Sequence, residues 1–375
     1  MTEPKIIKSI SLFANAGIGE YYIGKPDFLA KNGFSIKNVV ANELLPIRCR
    51  WYKTIYPWCH VVPRSIERQD IQDKLVKLAN KECVELCTAS PPCQGTTVAN
   101  GNKDKWDNPI NRLIIPTLAV IKRIPTLKYV FLENAENWFG SRPTVIPELN
   151  GRDIEHFLID ELTSYGFKYI HTQIMDAADY GLPQHRRRSI LIASKDKDWE
   201  WPDKEEQITL GQAIFHLPPI ESSEYSDLPF HDGPKWSQRI VNIMRHTPPG
   251  CHAWDNTNPK YRPVKKDGTM PKRYQSAFTR NHPDKPCGTV LMKSASNGGM
   301  ITCHPGRPLG VDENGDPIFS DARPFTIREL LIICGLGEDY PIPAFAANKD
   351  QLIRDVLGEC LSPQLMKRVM AKLPV

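Results

Sequence analysis

The sequence predicts an α/β protein: a doubly wound, mostly parallel sheet followed by a second, smaller domain. Two observations carry this expectation. The first half alternates short β-rich apolar runs, at 6–12, 38–41, 83–87, 129–132, 169–174 and 189–193, with helix-compatible stretches at 71–80, 109–123 and 152–165. That alternation is the rhythm of strands joined by crossover helices. After Ser194 the chain turns polar and proline-rich, with WPDKEEQ, LPPIE, TPPG and RPVKKDG in succession. Helical patterning resumes at 326–334 and 363–373, so the end of the chain is expected to return to the first domain. The expected division is 1–194, 195–350 and 351–375.

At 375 residues the chain can bury a full core, and 41% hydrophobic with 24% charged residues is ordinary for a globular protein. The longest apolar stretch, 113–121, is half a bilayer span and contains Pro116, which argues against a membrane role. The opening MTEPKIIKSISLF is apolar only in pieces broken by Lys8 and Ser9, so no secretory signal is read. Ten cysteines without a Cys-x-x-Cys pair then suit reduced thiols in a cytoplasm. Cys251–His252 and Cys303–His304 invite a zinc reading, but structural zinc sites show tighter paired spacing, and no metal is expected. Between His231 and Lys285 stand eleven Lys and Arg against four Asp and Glu, a local excess of +7 in a chain of net charge +5. With Trp236, Trp254, Tyr261, Tyr274 and Phe278 interleaved, the segment reads either as a solvated face or as a surface that tracks a phosphate backbone.

The loop FANAGIGE (13–20) follows the first strand, where such sheets bind adenine cofactors. Tyr22 stands where a dinucleotide fingerprint needs its third glycine, and Glu20 would set a negative charge beside a pyrophosphate. A cationic cofactor without phosphates would tolerate that carboxylate. Glu43, after the second strand, is placed to accept ribose hydroxyls. Asp70, before Ile71, reads as an acceptor for an adenine amino group or as a plain helix cap. Together these favour S-adenosylmethionine. After the fourth strand, Pro91 and Pro92 make a rigid turn that presents Cys93, ahead of Gln94, at the sheet edge. A cysteine there implies covalent chemistry, whereas an aromatic residue would suit methylation of an exocyclic amine. Glu133, ending an apolar run, suits a general acid whose pKa is raised by burial. Arg186 and Arg188 in QHRRR (184–188) suit stabilisation of a thiolate and binding of a carbonyl oxygen or phosphate.

These elements, in this order, resemble the DNA (cytosine-5) methyltransferase family of the bacterial restriction-modification type. The resemblance rests on the FxGxG-like loop from Phe13 to Gly17, Glu43, the Asp70–Ile71 pair, PCQ at 92–94, the ENV-like Glu133 to Ala135 and QxRxR at Gln184, Arg186 and Arg188. RPFTIRELLIICGLGEDY (323–340) and GECLSP (358–363) resemble the family's last two conserved blocks. Three positions depart from its pattern: Asn15 for the first loop glycine, Ala135 for valine and Glu359 for asparagine.

The resemblance implies a Rossmann-like methyltransferase sheet with a target-recognition domain, S-adenosylmethionine as cofactor, double-stranded DNA as partner, and a cytoplasmic monomer. Whether a cognate restriction endonuclease accompanies it stays open. It further implies that the Cys93 thiolate attacks a flipped cytosine, with Glu133 protonating the ring and Arg188 and Arg186 holding the ring carbonyl and the thiolate or a flanking phosphate. Phe13, Ala14, Asn15, Gly17, Glu43, Asp70, Ile71 and Pro91 would form the cofactor pocket. Gln94, Lys265, Lys266, Lys272, Arg273, Thr289 and Val290 would meet DNA, the last two beside the 297–299 loop that enters the major groove. A tRNA cytosine-5 methyltransferase and a catalytically silent DNA-binding relative are the alternatives.

Overall fold

A computed structural model describes residues 4–92, 109–139, 146–149, 152–265, 269, 277–292, 294–295 and 303–375. The chain forms two compact units, one of Met1–Asp176, Arg187–Lys204 and Cys360–Val375, the other of Ala177–Arg186 and Glu205–Glu359. It therefore re-enters the first unit at Cys360, and it lends the second a short segment just ahead of Arg187.

In the first unit the elements run β1 (Lys5–Leu12), α1 (Pro26–Asn32), β2 (Phe34–Glu43), α2 (Pro46–Ile55), β3 (His60–Pro63), α3 (Gln69–Glu82), β4 (Leu86–Ala89), α4 (Ile114–Lys122), β5 (Tyr129–Ala135), α5 (Ile154–Ser164), β6 (Tyr169–Asp176) and β7 (Arg187–Ser194). The seven strands are ordered β3-β2-β1-β4-β5-β7-β6. β1 to β5 pair in parallel, and β7 runs antiparallel to both its neighbours. β5 is buried along its whole length, as an apolar run covered on both faces requires. α3 buries Ile71, Leu75, Val76 and Ala79 on one helical stripe and stops at Cys83, which takes a left-handed conformation (φ 54°). That cap is why β4 starts at Leu86 and not at 83. α1, α2 and β3 are absent from the sequence reading: β3 has four residues at the sheet edge, and both helices open on proline with no side-chain cap.

The second unit contains α6 (Leu210–Ile214), α7 (Gln238–Arg245), a hairpin of β8 (Pro308–Val311) and β9 (Pro317–Phe319), α8 (Ile327–Ile333) and α9 (Asp350–Gly358). The final helix, α10 (Pro363–Ala371), belongs to the first unit. Here the structure corrects the reading of the basic segment. Trp236, Trp254 and Tyr261 are buried, and Phe278 packs against the apolar cluster built on Trp236, Ile243 and Met244. These aromatics are core. Arg280 is fully buried as well, donating to the carbonyls of Met244, His304 and Ser320.

Beside it lies a buried ionic network. Arg323 donates to both oxygens of Glu329 at 2.8 Å and to Asp321 at 2.8 Å. Removing one member of such a network costs far more than its net contribution, because the partner charge is left stranded. His304 is enclosed by the same groups: its Nδ1 accepts the Gly306 N–H at 3.0 Å, and Nε2 stands 3.7 Å from Glu329. Cys303 is buried and Cys251 exposed. Among the described residues no group of three His, Cys, Asp or Glu is arranged to hold a metal ion.

A clamp fixes another part of this unit. Arg186, 4% exposed, donates to the carbonyls of Val290 (3.3 Å) and Gly358 (3.0 Å). Gln184 accepts the Val290 N–H at 3.0 Å and donates to the Ile333 carbonyl at 3.3 Å. Gly358 allows the approach, since a Cβ there would lie 2.4 Å from the Met292 nitrogen.

Burial, the dominant influence, pulls the His304 imidazole down to about 4, against the upward pull of Glu329. Its unfolded value is about 6.5, so the unfolded chain takes up a proton that the folded one refuses. The resulting stability is complete above pH 6.5 and is lost as pH falls toward 4. Urea midpoints across that window should therefore decline with acid, and His304→Gln should flatten the decline; an unaltered slope in the variant would exclude His304 as its source. Separately, Arg186→Met should lower unfolding free energy by about 2–3 kcal/mol, because two buried carbonyls lose their donors. A loss below about 0.5 kcal/mol in urea titrations would show that the clamp contributes little.

Candidate active site

β1, β4 and β5 are parallel neighbours, so their carboxyl ends share one edge of the sheet. From β1 the chain winds outward through β2 and β3, and from β4 it winds the other way, which makes the β1/β4 boundary the topological switch point where such sheets bind ligands. Leu12 pairs with Ala89 there, so the loops that follow these strands emerge side by side.

The loop after β1 is held in an unusual conformation. Phe13, Asn15 and Gly17 all have positive φ, at 57°, 47° and 74°. Asparagine tolerates this region better than most residues, which accounts for Asn15 where the resembled pattern has glycine. For phenylalanine the conformation costs on the order of 1–3 kcal/mol and must be imposed by neighbours. The Ala14 N–H donates to the Asn42 carbonyl (2.9 Å) and the Gly17 N–H to the Ala14 carbonyl (2.9 Å). The Asn15 N–H donates to one Glu43 oxygen and the Leu45 N–H to the other, each at 2.9 Å. Each oxygen keeps a second lone pair for another donor. Directly after Glu43, Leu44 and Leu45 stay exposed (59% and 41%), an apolar surface at a strand's end that can cover a flat ring.

Glu20 does not act as the exposed charge that its position in the loop suggests. It is buried, with Ser11 and Thr88 both donating to Oε1, and burial raises its pKa, which favours the neutral acid. Asp70 is the second residue of α3 and not its cap; its exposed carboxylate pairs with Arg68 at 2.9 Å, a contact that lowers its pKa. Ile71 belongs to the core, and its N–H donates to the Arg68 carbonyl.

At the end of β5 the Glu133 side chain, 9% exposed, is gripped from both sides. Ser90 donates to Oε2 at 2.6 Å, and the Arg188 Nε lies 2.8 Å from Oε1. Arg188 reaches this edge because β7 is antiparallel: its first residues stand opposite the last of β5, with Ala135 facing Arg188. Asn134 donates to the Pro91 carbonyl at 3.0 Å and accepts the Ala135 N–H at 2.8 Å. β5 thus ties down the turn that leads to Cys93. Ser90 and Leu44 have no role in the sequence reading, and Asn134 enters it only as the middle residue of the ENV-like motif; Ser90 and Leu44 flank residues it singles out, and that adjacency is the one signal they carry.

Cys93, Gln94, Lys266, Lys272, Arg273, Tyr274 and the 297–299 loop lie outside the described residues; Lys265 is exposed. The Arg186 guanidinium is buried and donates to backbone carbonyls of Val290 and Gly358. Val290 is buried, at 1% exposed. The Thr289 hydroxyl donates to the His185 carbonyl at 2.7 Å.

Comparison with known proteins matches residues 7–374 to the family described as C-5 cytosine-specific DNA methylase. The Type II methyltransferase M1.HgaI of Avibacterium volantium is 35% identical over 370 residues, covering 97% of each chain. M1.HphI of Haemophilus parahaemolyticus is 25% identical over 92% of this chain and 85% of its own. Among solved structures, Spodoptera frugiperda DNMT2 aligns with a TM-score of 0.60 at 15% identity over 98% of this chain and 99% of its own. The Entamoeba histolytica methyltransferase EhMeth also gives a TM-score of 0.60, at 15% identity over 98% of each chain, and both likenesses concern the fold. The match over nearly the whole chain and the 35% identical relative make this protein a member of the C-5 cytosine-specific DNA methylase family, a DNA (cytosine-5) methyltransferase.

Proposed function

We propose that this enzyme methylates carbon 5 of a cytosine flipped out of a specific duplex site, through a covalent adduct with Cys93, as the modification half of a Type II restriction-modification pair. The observation that carries the reading is the Glu133 carboxyl, held by Ser90 and Arg188 beside the Pro91 turn. Carbon 5 of cytosine is too weak a nucleophile to react unaided, so the ring must first be activated.

The Cys93 thiolate adds to carbon 6 while Glu133 delivers a proton to ring nitrogen 3, and the displaced π electrons make carbon 5 nucleophilic. S-adenosylmethionine supplies the electrophilic methyl group when bound. Departure of the carbon 5 proton then restores the double bond and expels the thiolate. Arg188, whose Nε stands 2.8 Å from Glu133 Oε1, is the group suited to the ring carbonyl. The reacting atoms lie inside a stacked duplex, hence the flipping.

The residues of the β1/β2 edge fit the cofactor. Glu43 has lone pairs to spare for ribose hydroxyls, Phe13 and Leu44 offer faces for adenine, and Asp70 is exposed for the amino group. Glu20 is buried beneath Ser11 and Thr88 and does not face a ligand as an open charge; the case for a sulfonium cofactor rests on the family. Exposed lysines of the second unit, Lys265 among them, suit phosphate contacts, which supply most sequence-independent affinity. Type II names among the relatives support the pairing with a restriction enzyme.

DNA carrying 5-fluorocytosine at the site should trap a denaturation-resistant complex, because fluorine cannot leave as a proton does. Cys93→Ser should abolish both trapping and methyl transfer while duplex binding survives; turnover by the serine variant would remove the covalent step. Glu133→Gln should cut single-turnover methylation by roughly 10²–10⁴-fold with 2-aminopurine fluorescence beside the target still reporting flipping. Methylation at the wild-type rate would reduce Glu133 to a positioning residue.

A further inference from the structure

We infer that Tyr56 is a positioning residue for the cofactor loop: its hydroxyl fixes the turn at Gly17 in the conformation that receives S-adenosylmethionine. The inference rests on the proposed cofactor reading and extends it to a side chain on α2's end that no sequence motif marks.

Tyr56 is buried, and its hydroxyl donates to the Gly17 carbonyl at 2.8 Å. The loop lies directly on the ring: a Cβ at Gly17 would stand 2.4 Å from a Tyr56 ring carbon and 2.9 Å from one of Tyr52. Glycine is thus required here twice, by φ of 74° and by contact with the two rings. The rings themselves are braced. Tyr52 and Tyr56 pack at 4.8 Å, Trp58 meets Tyr56 edge-on at 5.9 Å, and Trp58 Nε1 is tied to the Asn38 carbonyl at 3.1 Å.

The four-residue turn from Ala14 to Gly17 closes on its own backbone hydrogen bond, and its entry is fixed by Asn42 and Glu43. Its exit carbonyl is fixed by Tyr56. Two non-glycine residues of this loop sit at positive φ, so the loop left to itself would populate other conformations. A ligand that binds one of several conformations sees its affinity reduced by the fraction that is competent. The phenol hydroxyl keeps that fraction high before the cofactor arrives, and it does so without touching the cofactor.

The test is Tyr56→Phe, which removes the donor and keeps the ring, set against Tyr52→Phe, which removes a hydroxyl from the same ring pair and leaves the Gly17 bond. Calorimetric titration with S-adenosylmethionine should give a Kd raised about 3–10-fold for Tyr56→Phe and a wild-type Kd for Tyr52→Phe. KM for the cofactor should rise with it, kcat at saturation and duplex affinity should hold, and amides of residues 14–19 should exchange faster in the ligand-free variant. A wild-type Kd for Tyr56→Phe overturns the inference, and so does an equal weakening in both variants, which would mean general loss of packing. Failure of the unaltered protein to bind the cofactor would overturn the underlying reading instead.

Discussion

The carboxyl of Glu133 could not be kept where it is without the donors that surround it. It lies near the end of a strand with every residue buried, where an unpaired carboxylate costs several kcal/mol. Ser90 and Arg188 remove that cost, and each comes from a neighbouring strand's end: Ser90 just past β4, Arg188 at the start of β7. The sheet order places β5 between those two strands, so the topology and the ionic contact support one another. Asn134 extends the same edge to the Pro91 turn. Reversal of β7 is what lets a cation enter an edge otherwise built from carboxyl ends of parallel strands.

Much of this arrangement is legible in the sequence. The alternating runs locate six of the seven strands, because buried strands are apolar and their crossovers carry helical periodicity. β3 is missed since four residues at an edge leave almost no pattern. Glu133 and Arg188 stand out as charges beside apolar runs, and the structure brings them within 2.8 Å. Arg186 carries the same chemical signature two positions away, and its guanidinium also donates to the Val290 and Gly358 carbonyls. Spacing along a chain does not reveal which backbone groups lie within reach of a guanidinium. The aromatics at 236, 254 and 261 illustrate the same limit: interleaving with lysines looks like a binding face, whereas a proline-rich unit with few periodic elements needs large side chains to fill its interior.

The second unit also shows why a charge count overstates an electrostatic surface. Arg280 and Arg323 are fully buried, one on carbonyls and one on carboxylates. Guanidinium groups suit this because their planar donors satisfy several acceptors at once, so they brace irregular backbone that lacks ladder hydrogen bonds. In a unit whose described strands form one short hairpin, such bracing replaces much of what a sheet provides.

The return of the chain at Cys360 bears on how the protein is made. α10 buries Leu365, Met366, Val369 and Met370 in the first unit. The Val369 carbonyl receives Trp199 Nε1 at 3.1 Å, and the Pro374 carbonyl receives the Tyr129 hydroxyl at 2.9 Å. Synthesis proceeds from the amino end, so all seven strands of the main sheet leave the ribosome long before the helix that covers this flank. Throughout translation of the residues between 205 and 359, Trp199 and its neighbours lack their apolar cover. The nascent chain therefore carries a sticky flank through nearly half of its synthesis, a span in which chaperones have an exposed target and premature termination leaves an aggregation-prone fragment.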